Sequence, residues 1–383
     1  MPEELTLLDS CWENRHLSGE IHQMNNRLIA LIVICLGALT GAHSLAQDKP
    51  TPEEILESWL ASAHADSTTE SFRHWDTEGE IPGTCAVCHS TTGIVDYLAT
   101  PPVTAGVIPH SVAIGTTVEC AACHNDNAAA LESVLFPNGQ MVSIANSSAI
   151  CTVCHQGRNS MDQVDASVAG IGDDEVSPAI PFVNIHYAAA ASTQLGATVR
   201  GGYQYEGRSY AGPFGHVAGF ETCVSCHGAH DTEVKLESCT TCHAGAADFR
   251  AIRTTPPDVL GDGNTSAGIA TVIDQLHSQL EVAIRTYATE VGGGNIAYSK
   301  TAFPYFFNDL NGNGSADPEE AVFPNAYKSW TPRLLRAAYN YQFVAKDGGA
   351  FAHNPHYVIQ LMIDSIEDLA SVAAIDKPAY MRP

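Results

Sequence analysis

Positive charge is scarce in this chain. Its 383 residues hold 18 Lys and Arg against 43 Asp and Glu, a formal net charge of −25. A chain this acidic does not bind nucleic acid by neutralising phosphates, so nucleic acid is excluded as a partner. The charge favours solubility and attracts basic proteins or metal ions. Methionine is also scarce, at 6, which leaves few thioethers for metal ligation. Beyond residue 46 we expect no membrane-spanning segment. In that same stretch no cysteine falls outside one repeated pattern, so none is spare for an ordinary disulfide. What is present in quantity is apolar residue, 45% of the chain. That suffices for a packed core, in a length that suits one large or two ordinary domains.

The chain opens with an expected leader. Arg27 precedes an apolar run about as long as a signal-peptide core, and Ser44-Leu45-Ala46 puts small residues before a cut. Residues 1–23 are acidic and unlike a signal n-region, which makes Met24 a more natural start. Cys11 and Cys35 both lie in this leader. Ile34 stands where a lipid-anchored Cys35 would need a small residue. Residues 1–46 are therefore expected to be removed on export, to the periplasm or the cell surface. After the cut, Thr51-Pro52-Glu53-Glu54 reads as a capped helix start, followed by an apolar face of Ile55, Leu56, Trp59 and Leu60.

Ten cysteines form five copies of Cys-x-x-Cys-His: Cys85, Cys88 and His89; Cys120, Cys123 and His124; Cys151, Cys154 and His155; Cys223, Cys226 and His227; Cys239, Cys242 and His243. This is the attachment pattern for c-type haem. Two thiols on one helical turn reach the two vinyl groups of one porphyrin as thioethers. The next residue then lies beneath the iron as its proximal ligand. Zinc ribbons also use Cys-x-x-Cys, but they do not require a histidine after every second cysteine. A disulfide scaffold explains neither the spacing nor the histidines. The expected cofactors are five covalently bound haem c groups. The fourth and fifth motifs are close in sequence and should hold neighbouring haems.

Each iron needs a sixth ligand or an open face, and that difference separates a carrier from a catalyst. Histidines are numerous enough to close all five. His230 is the best placed, because Cys226-His227-Gly228-Ala229-His230 projects two imidazoles from one short segment. His64 and His74 flank the approach to the first motif, His216 precedes the fourth, and His186 is expected on a helix ending near Gly196. His353 completes the set of distal candidates.

The last third has no cysteine. Ile269, Ile273, Leu276, Leu280, Ile284 and Tyr287 trace a helical face ending at Gly292-Gly293-Gly294. Thr331-Pro332 and Asn354-Pro355 each resemble a cap followed by proline at the first helical position. Between these helices, Asp309, Asn311, Asn313, Ser315, Asp317 and Glu320 occupy the ligand positions of an EF-hand calcium loop, with Gly314 at the sharp turn. The flanking segments are poor EF helices, so an isolated calcium loop is expected. Asp258, Asp262 and Asn264 resemble a decayed second loop in which Leu260 replaces a ligand. A small hairpin is expected over 133–143, turning at Asn138-Gly139. Residues 201–207 suggest a loop or short hairpin whose tyrosines pack either on porphyrin or on other side chains.

Taken together, the five motifs, the approach from His216 to Cys223, the Cys223 to His230 segment and Trp330-Thr331-Pro332-Arg333-Leu334-Leu335-Arg336 resemble the bacterial multihaem c-type cytochromes, pentahaem in this case. The resemblance covers essentially the whole chain after the leader. It implies a mainly α fold with extensive irregular coil, packed around covalent haems, here with an added C-terminal helical region. It also implies exported electron carriers with bis-histidine haems edge to edge. Some members reach the outer surface and some build haem wires. The expected layout is a leader at 1–46, a haem domain at 47–250 and a helical region with the calcium loop at 251–383. The expected function is electron transfer with redox-protein donors and acceptors, with self-association or an outer-membrane complex as further partners. The rival is a multihaem reductase of nitrite or a sulfur oxyanion. Pentahaem nitrite reductases place lysine after the second cysteine at the catalytic haem, whereas all five positions here are histidine.

Overall fold

The computed structural model describes residues 49–383 apart from residue 145 and residues 255–257. The leader, with Cys11 and Cys35, lies outside the described residues. The described chain is mostly helix and coil with little sheet. In chain order its main helices are α1 (Pro52–Leu60), α2 (Gly83–His89), α3 (Thr91–Ala99), α4 (Cys120–Cys123), α5 (Ser148–Cys154), α6 (Met161–Val168), α7 (Ala190–Leu195), α8 (Cys223–Cys226), α9 (Leu236–Thr240), α10 (Ile269–Glu290), α11 (Pro332–Lys346), α12 (Ala350–His353) and α13 (Pro355–Leu369). Three two-stranded antiparallel ribbons complete it: β1 (Glu80–Ile81) with β2 (Val112–Ala113), β3 (Ser133–Leu135) with β4 (Met141–Ser143), and β5 (Ile296–Tyr298) with β6 (Phe306–Asn308). The expected hairpin at 133–143 is β3–β4, with Leu135 opposite Met141.

The larger core is built on α10, α11 and α13. Leu276, Leu280 and Tyr287 of α10, Leu334 and Leu335 of α11, and Leu361, Met362 and Ile363 of α13 are fully buried together. On α10 this is the face that helical periodicity marks out, whereas α11 and α13 are buried nearly all round. The starts of α11 and α13 are capped as their Thr-Pro and Asn-Pro pairs suggest. Thr331 Oγ1 accepts from the Leu334 amide at 3.1 Å and Asn354 Oδ1 from the Tyr357 amide at 3.1 Å. The same core takes in Val164, Val168, Ile180, Ile185 and Tyr203, so residues on both sides of position 250 share it.

The segment 201–205 runs along α11 and α13. Buried Asn340 accepts from the Tyr203 amide at 2.6 Å and donates to the Tyr203 carbonyl at 2.9 Å. Tyr205 reaches Ser365 at 3.2 Å. The two tyrosines pack edge to face on each other at 5.2 Å. Side-chain packing thus accounts for these aromatics. Ion pairs pin other coil to the same helices. Arg333 joins Asp174 at 2.7 Å and contacts Asp368, and Arg382 grips the buried Asp364 with two bonds of 2.8 Å.

A second, smaller core sits under the first attachment motifs. Ile81, Ala86, Val87, Ile94, Tyr97, Ala122, Phe136, Ala149 and Val153 form it. Ser90 joins α2 to α3: its hydroxyl donates to the Ala86 carbonyl and accepts from the Gly93 amide, both at 2.9 Å. By contrast, no residue of 204–254 is buried, although that stretch carries the fourth and fifth motifs. Among the described residues no helix is long and apolar enough to cross a membrane.

Candidate haem-binding sites

Each Cys-x-x-Cys-His motif forms a single helical turn. In α4, α5 and α8 the histidine that follows donates its backbone N–H to the first cysteine carbonyl, at 2.8, 3.0 and 2.9 Å. At the fifth motif the His243 amide makes the same bond to the Cys239 carbonyl at 2.8 Å, and in α2 the whole motif is helical. Both thiols and the imidazole of each motif therefore project from one turn. All ten cysteines are free of disulfides and none is fully buried.

Three of the motif histidines are oriented through their far ring nitrogen. His89 Nδ1 lies 2.8 Å from the Ser71 carbonyl, His155 Nδ1 3.1 Å from Ala188, and His227 Nδ1 2.9 Å from Thr232. A carbonyl only accepts, so Nδ1 carries the proton and Nε2 keeps its lone pair. That is the tautomer an iron ligand requires.

Every motif histidine faces a second histidine. His89 faces His186 with ring centroids 5.9 Å apart, and His124 faces His230 at 6.2 Å. His155 faces His64 at 6.3 Å, His227 faces His353 at 6.3 Å, and His243 faces His216 at 6.1 Å. Two imidazoles bound to opposite sides of one metal at about 2 Å per bond would hold their centroids roughly 6 Å apart. The residues present thus fit a haem iron between each pair.

The pairs cross the sequence. His64 approaches the first motif in sequence but faces the third. His186 follows the third motif but faces the first. His186 does not stand on a helix, as its alanine-rich surroundings suggest. It lies in coil at φ 75°, and α7 begins only at Ala190. From that left-handed position its ring faces His89. His216, also left-handed at φ 56°, lies in coil between Phe214 and Phe220, which pack edge-on against its ring. His74 faces no motif histidine. Its Nδ1 is 2.7 Å from Glu70 and its ring packs edge-on to Trp75.

Charge around the pairs is uneven. Burial, with His89, Arg158 and Lys346 nearby, pushes His186 down to about 4. Burial also lowers His64, His89 and His155. Each of these shifts favours the neutral imidazole, the form that binds metal. Lys346 sits over the rings of Tyr187 and Tyr305, at 3.4 and 4.0 Å, and burial lowers it to about 7. At His353 the balance is reversed. Burial alone would lower it, but the buried Asp347 carboxylate beside it raises it above the ordinary imidazole value. Burial would raise Asp347, yet His353, Thr193 and the Gly349 amide hold it below the usual carboxylate range. Asp347 and Arg158 carry no sequence signature, and only the fold brings them to the histidines.

The attachment turns also meet one another. Cys154 Sγ lies 3.7 Å from the Val87 carbonyl inside the first motif, and the Cys223 amide donates to Ser148 of α5 at 3.0 Å, which brings Cys154 near Cys88 and Cys151 near Cys223. Cys123 lies within electrostatic range of Cys151 and Cys154, and Cys226 within range of Cys239. The third motif therefore adjoins the first, second and fourth, and the fourth adjoins the fifth.

Loop 309–320 is separate from these sites. Asp309 accepts from the Gly312 and Gly314 amides at 2.7 and 2.8 Å, and Glu320 Oε1 from the Leu310 and Asn311 amides at 2.8 and 3.2 Å. Gly314 has φ 80°, which a side chain would strain. Asp309 and Glu320 are 6% and 5% exposed, and Glu320 Oε2 is buried without a hydrogen-bond partner. Asn311 and Asn313 donate side-chain N–H groups to Asp317, each at 2.8 Å. No three His, Cys, Asp or Glu side chains among the described residues converge tightly enough to hold a metal alone, so the amide and hydroxyl oxygens are needed to complete a site here. In the Asp258 loop, Leu260 is buried in the core instead of facing a ligand position.

Comparison with known proteins finds polyheme cytochromes among the relatives. The chain is 27% identical to the C-type polyheme cytochrome OmcB of Geobacter sulfurreducens, over 87% of its own length and 48% of that relative. It is also 27% identical to the C-type polyheme cytochrome OmcC of the same species, over 80% of its length and 45% of the relative. The chain thus spans about half the length of the curated relatives it matches. No family model matches it, and no solved structure does.

Proposed function

The chain belongs to the multihaem c-type cytochromes, and from that membership we propose that it is an exported electron-transfer protein whose five haem c groups are each held between two histidines. Haem, when bound, supplies one-electron redox chemistry at its iron. The ten motif cysteines anchor the five porphyrins, and His89, His124, His155, His227 and His243 are the proximal ligands. The distal ligands are His186, His230, His64, His353 and His216, in that order. The observation that carries the reading is the facing of every motif histidine by a second imidazole, at 5.9–6.3 Å between centroids. Pairing at all five positions leaves no open face for substrate, which favours a carrier over a reductase.

The contacts among attachment turns support a relay rather than isolated centres. Its order is first, third, fourth, fifth, with the second branching from the third. Partners are redox proteins that donate and accept electrons, and the acidic composition favours basic ones. The expected leader supports export, to the periplasm or cell surface. Loop 309–320 holds a calcium ion in this reading, supported by its two buried carboxylates and the unpartnered Glu320 oxygen.

The test is spectroscopic. Purified oxidised protein should contain five haems per chain, all low-spin by electron paramagnetic resonance and magnetic circular dichroism. One stoichiometric high-spin haem would overturn the carrier reading, and fewer than five haems would overturn the attachment sites.

A further inference from the structure

His353 differs from the other paired histidines in what holds its far ring nitrogen. His89, His155 and His227 each turn Nδ1 to a neutral backbone carbonyl. His353 turns Nδ1 to the carboxylate of Asp347, 2.8 and 2.9 Å from its two oxygens. Among the described residues, no other member of the five facing pairs hydrogen-bonds a carboxylate. The arrangement is built into the fold. Asp347 ends α11 and is only 4% exposed, and it accepts from the Gly349 amide at 3.0 Å. Gly349 also makes room for the ring. A Cβ there would stand 2.5 Å from His353 Cε1 and 3.0 Å from Nε2. The turn thus clamps the imidazole between a carboxylate and bare backbone, with its ring centroid 6.3 Å from that of His227.

We propose that Asp347 is a positioning residue that makes His353 a strongly electron-donating axial ligand, so that the haem of the fourth motif has the lowest reduction potential of the five. This rests on the ligand pairing proposed above. A hydrogen bond from Nδ1–H to a carboxylate gives the ring partial imidazolate character and raises its basicity as a ligand. A more basic ligand and a buried negative charge both favour ferric over ferrous iron. The opposite influence acts at the first motif, where Arg158 lies within electrostatic range of His89 and His186. The fourth haem, between the third and the fifth, then forms a low step inside the relay and not at its end.

The experiment is a spectroelectrochemical titration of the intact holoprotein and three variants. Asp347→Asn keeps an acceptor for Nδ1–H but removes the charge. One of the five transitions should move upward by a tenfold change in the ferric to ferrous ratio, about 59 mV for a one-electron couple, with the other four in place. Asp347→Glu should restore most of the shift. Five unmoved transitions in Asp347→Asn, with all haems low-spin, would overturn the proposal. If Asp347→Asn does not assemble, His353→Met decides the matter. It identifies the fourth haem as the one transition displaced, and that transition must be the lowest in the unaltered protein. The pairing fails separately: if His353→Ala leaves all five haems low-spin, His353 is not a ligand, whatever the Asp347 variants do.

Discussion

At the scale of single residues, the polar groups that carry weight are those buried against backbone. Asn340 satisfies both main-chain groups of Tyr203 and also donates to Ser365 at 3.0 Å. Asn340→Ala leaves a buried amide and carbonyl without partners. We expect a loss of about 2 kcal/mol or more, measured as a lower denaturation midpoint of the holoprotein, with haem content unchanged. A residue whose removal left the midpoint in place would not be holding this segment. The role of Asn340 cannot be read from its sequence, because its partner lies 137 positions away. The motif cysteines are the opposite case. Their whole function fits within five consecutive residues.

At the scale of elements, caps and loops were largely legible. Thr331 and Asn354 cap where a Thr-Pro and an Asn-Pro pair place them, because capping is settled within three or four residues. Thr331 does more than its motif states, since its hydroxyl also lies 3.0 Å from the Tyr287 hydroxyl of α10. Thr331→Ala should therefore cost about 1–2 kcal/mol, at the upper end for a cap, as read from thermal unfolding. The 309–320 loop gives a sharper test. If it binds calcium, the protein should gain about 2.7 kcal/mol of stability when free calcium is 100 times the dissociation constant. In Asp309→Ala that calcium-dependent gain should vanish, leaving equal melting temperatures with calcium and with chelator. A variant still stabilised by calcium would place the ion elsewhere. The helix expected at His186 was the local misjudgement. A run of alanines signals helix, but the approach to His89 demands a left-handed residue at that point.

At the scale of the whole molecule, apolar burial and attachment sites are unevenly matched. The α10, α11 and α13 core is dense, whereas 204–254 buries no residue and carries two of the five motifs. A segment of that kind lacks the apolar burial to offset its ordering entropy, so covalent haem must supply the contacts. In a chain produced without haem attachment, amide hydrogen exchange should be fast across 215–254, beyond the Tyr205, Tyr210 and Ala211 contacts with the core, while α10, α11 and α13 retain protection. Protection of 215–254 in that apo chain would show that the polypeptide orders itself there. Electron exchange with a basic partner protein should also slow as salt rises from about 0.01 to 0.2 M, because screening shortens from roughly 30 Å to under 10 Å. Rates independent of salt would mean that the acidic surface does not guide docking.

The sequence alone determined the five-fold attachment pattern. Thioether formation and proximal ligation need only two cysteines and a histidine on one helical turn, and a turn is a local object. It also determined the buried face of α10, because helical period and core burial coincide there, whereas α11 and α13 are buried on nearly all sides. The tertiary structure decided which histidine faces which. The facing imidazole is brought in from another part of the chain: His64 to the third motif, His186 back to the first, and His353 from beyond α11 to the fourth. Such meetings depend on how distant segments pack, and no spacing along the chain encodes them. The carboxylate behind His353 is a nearer meeting, six positions back in the chain, and it is set by the turn through Gly349 that follows α11.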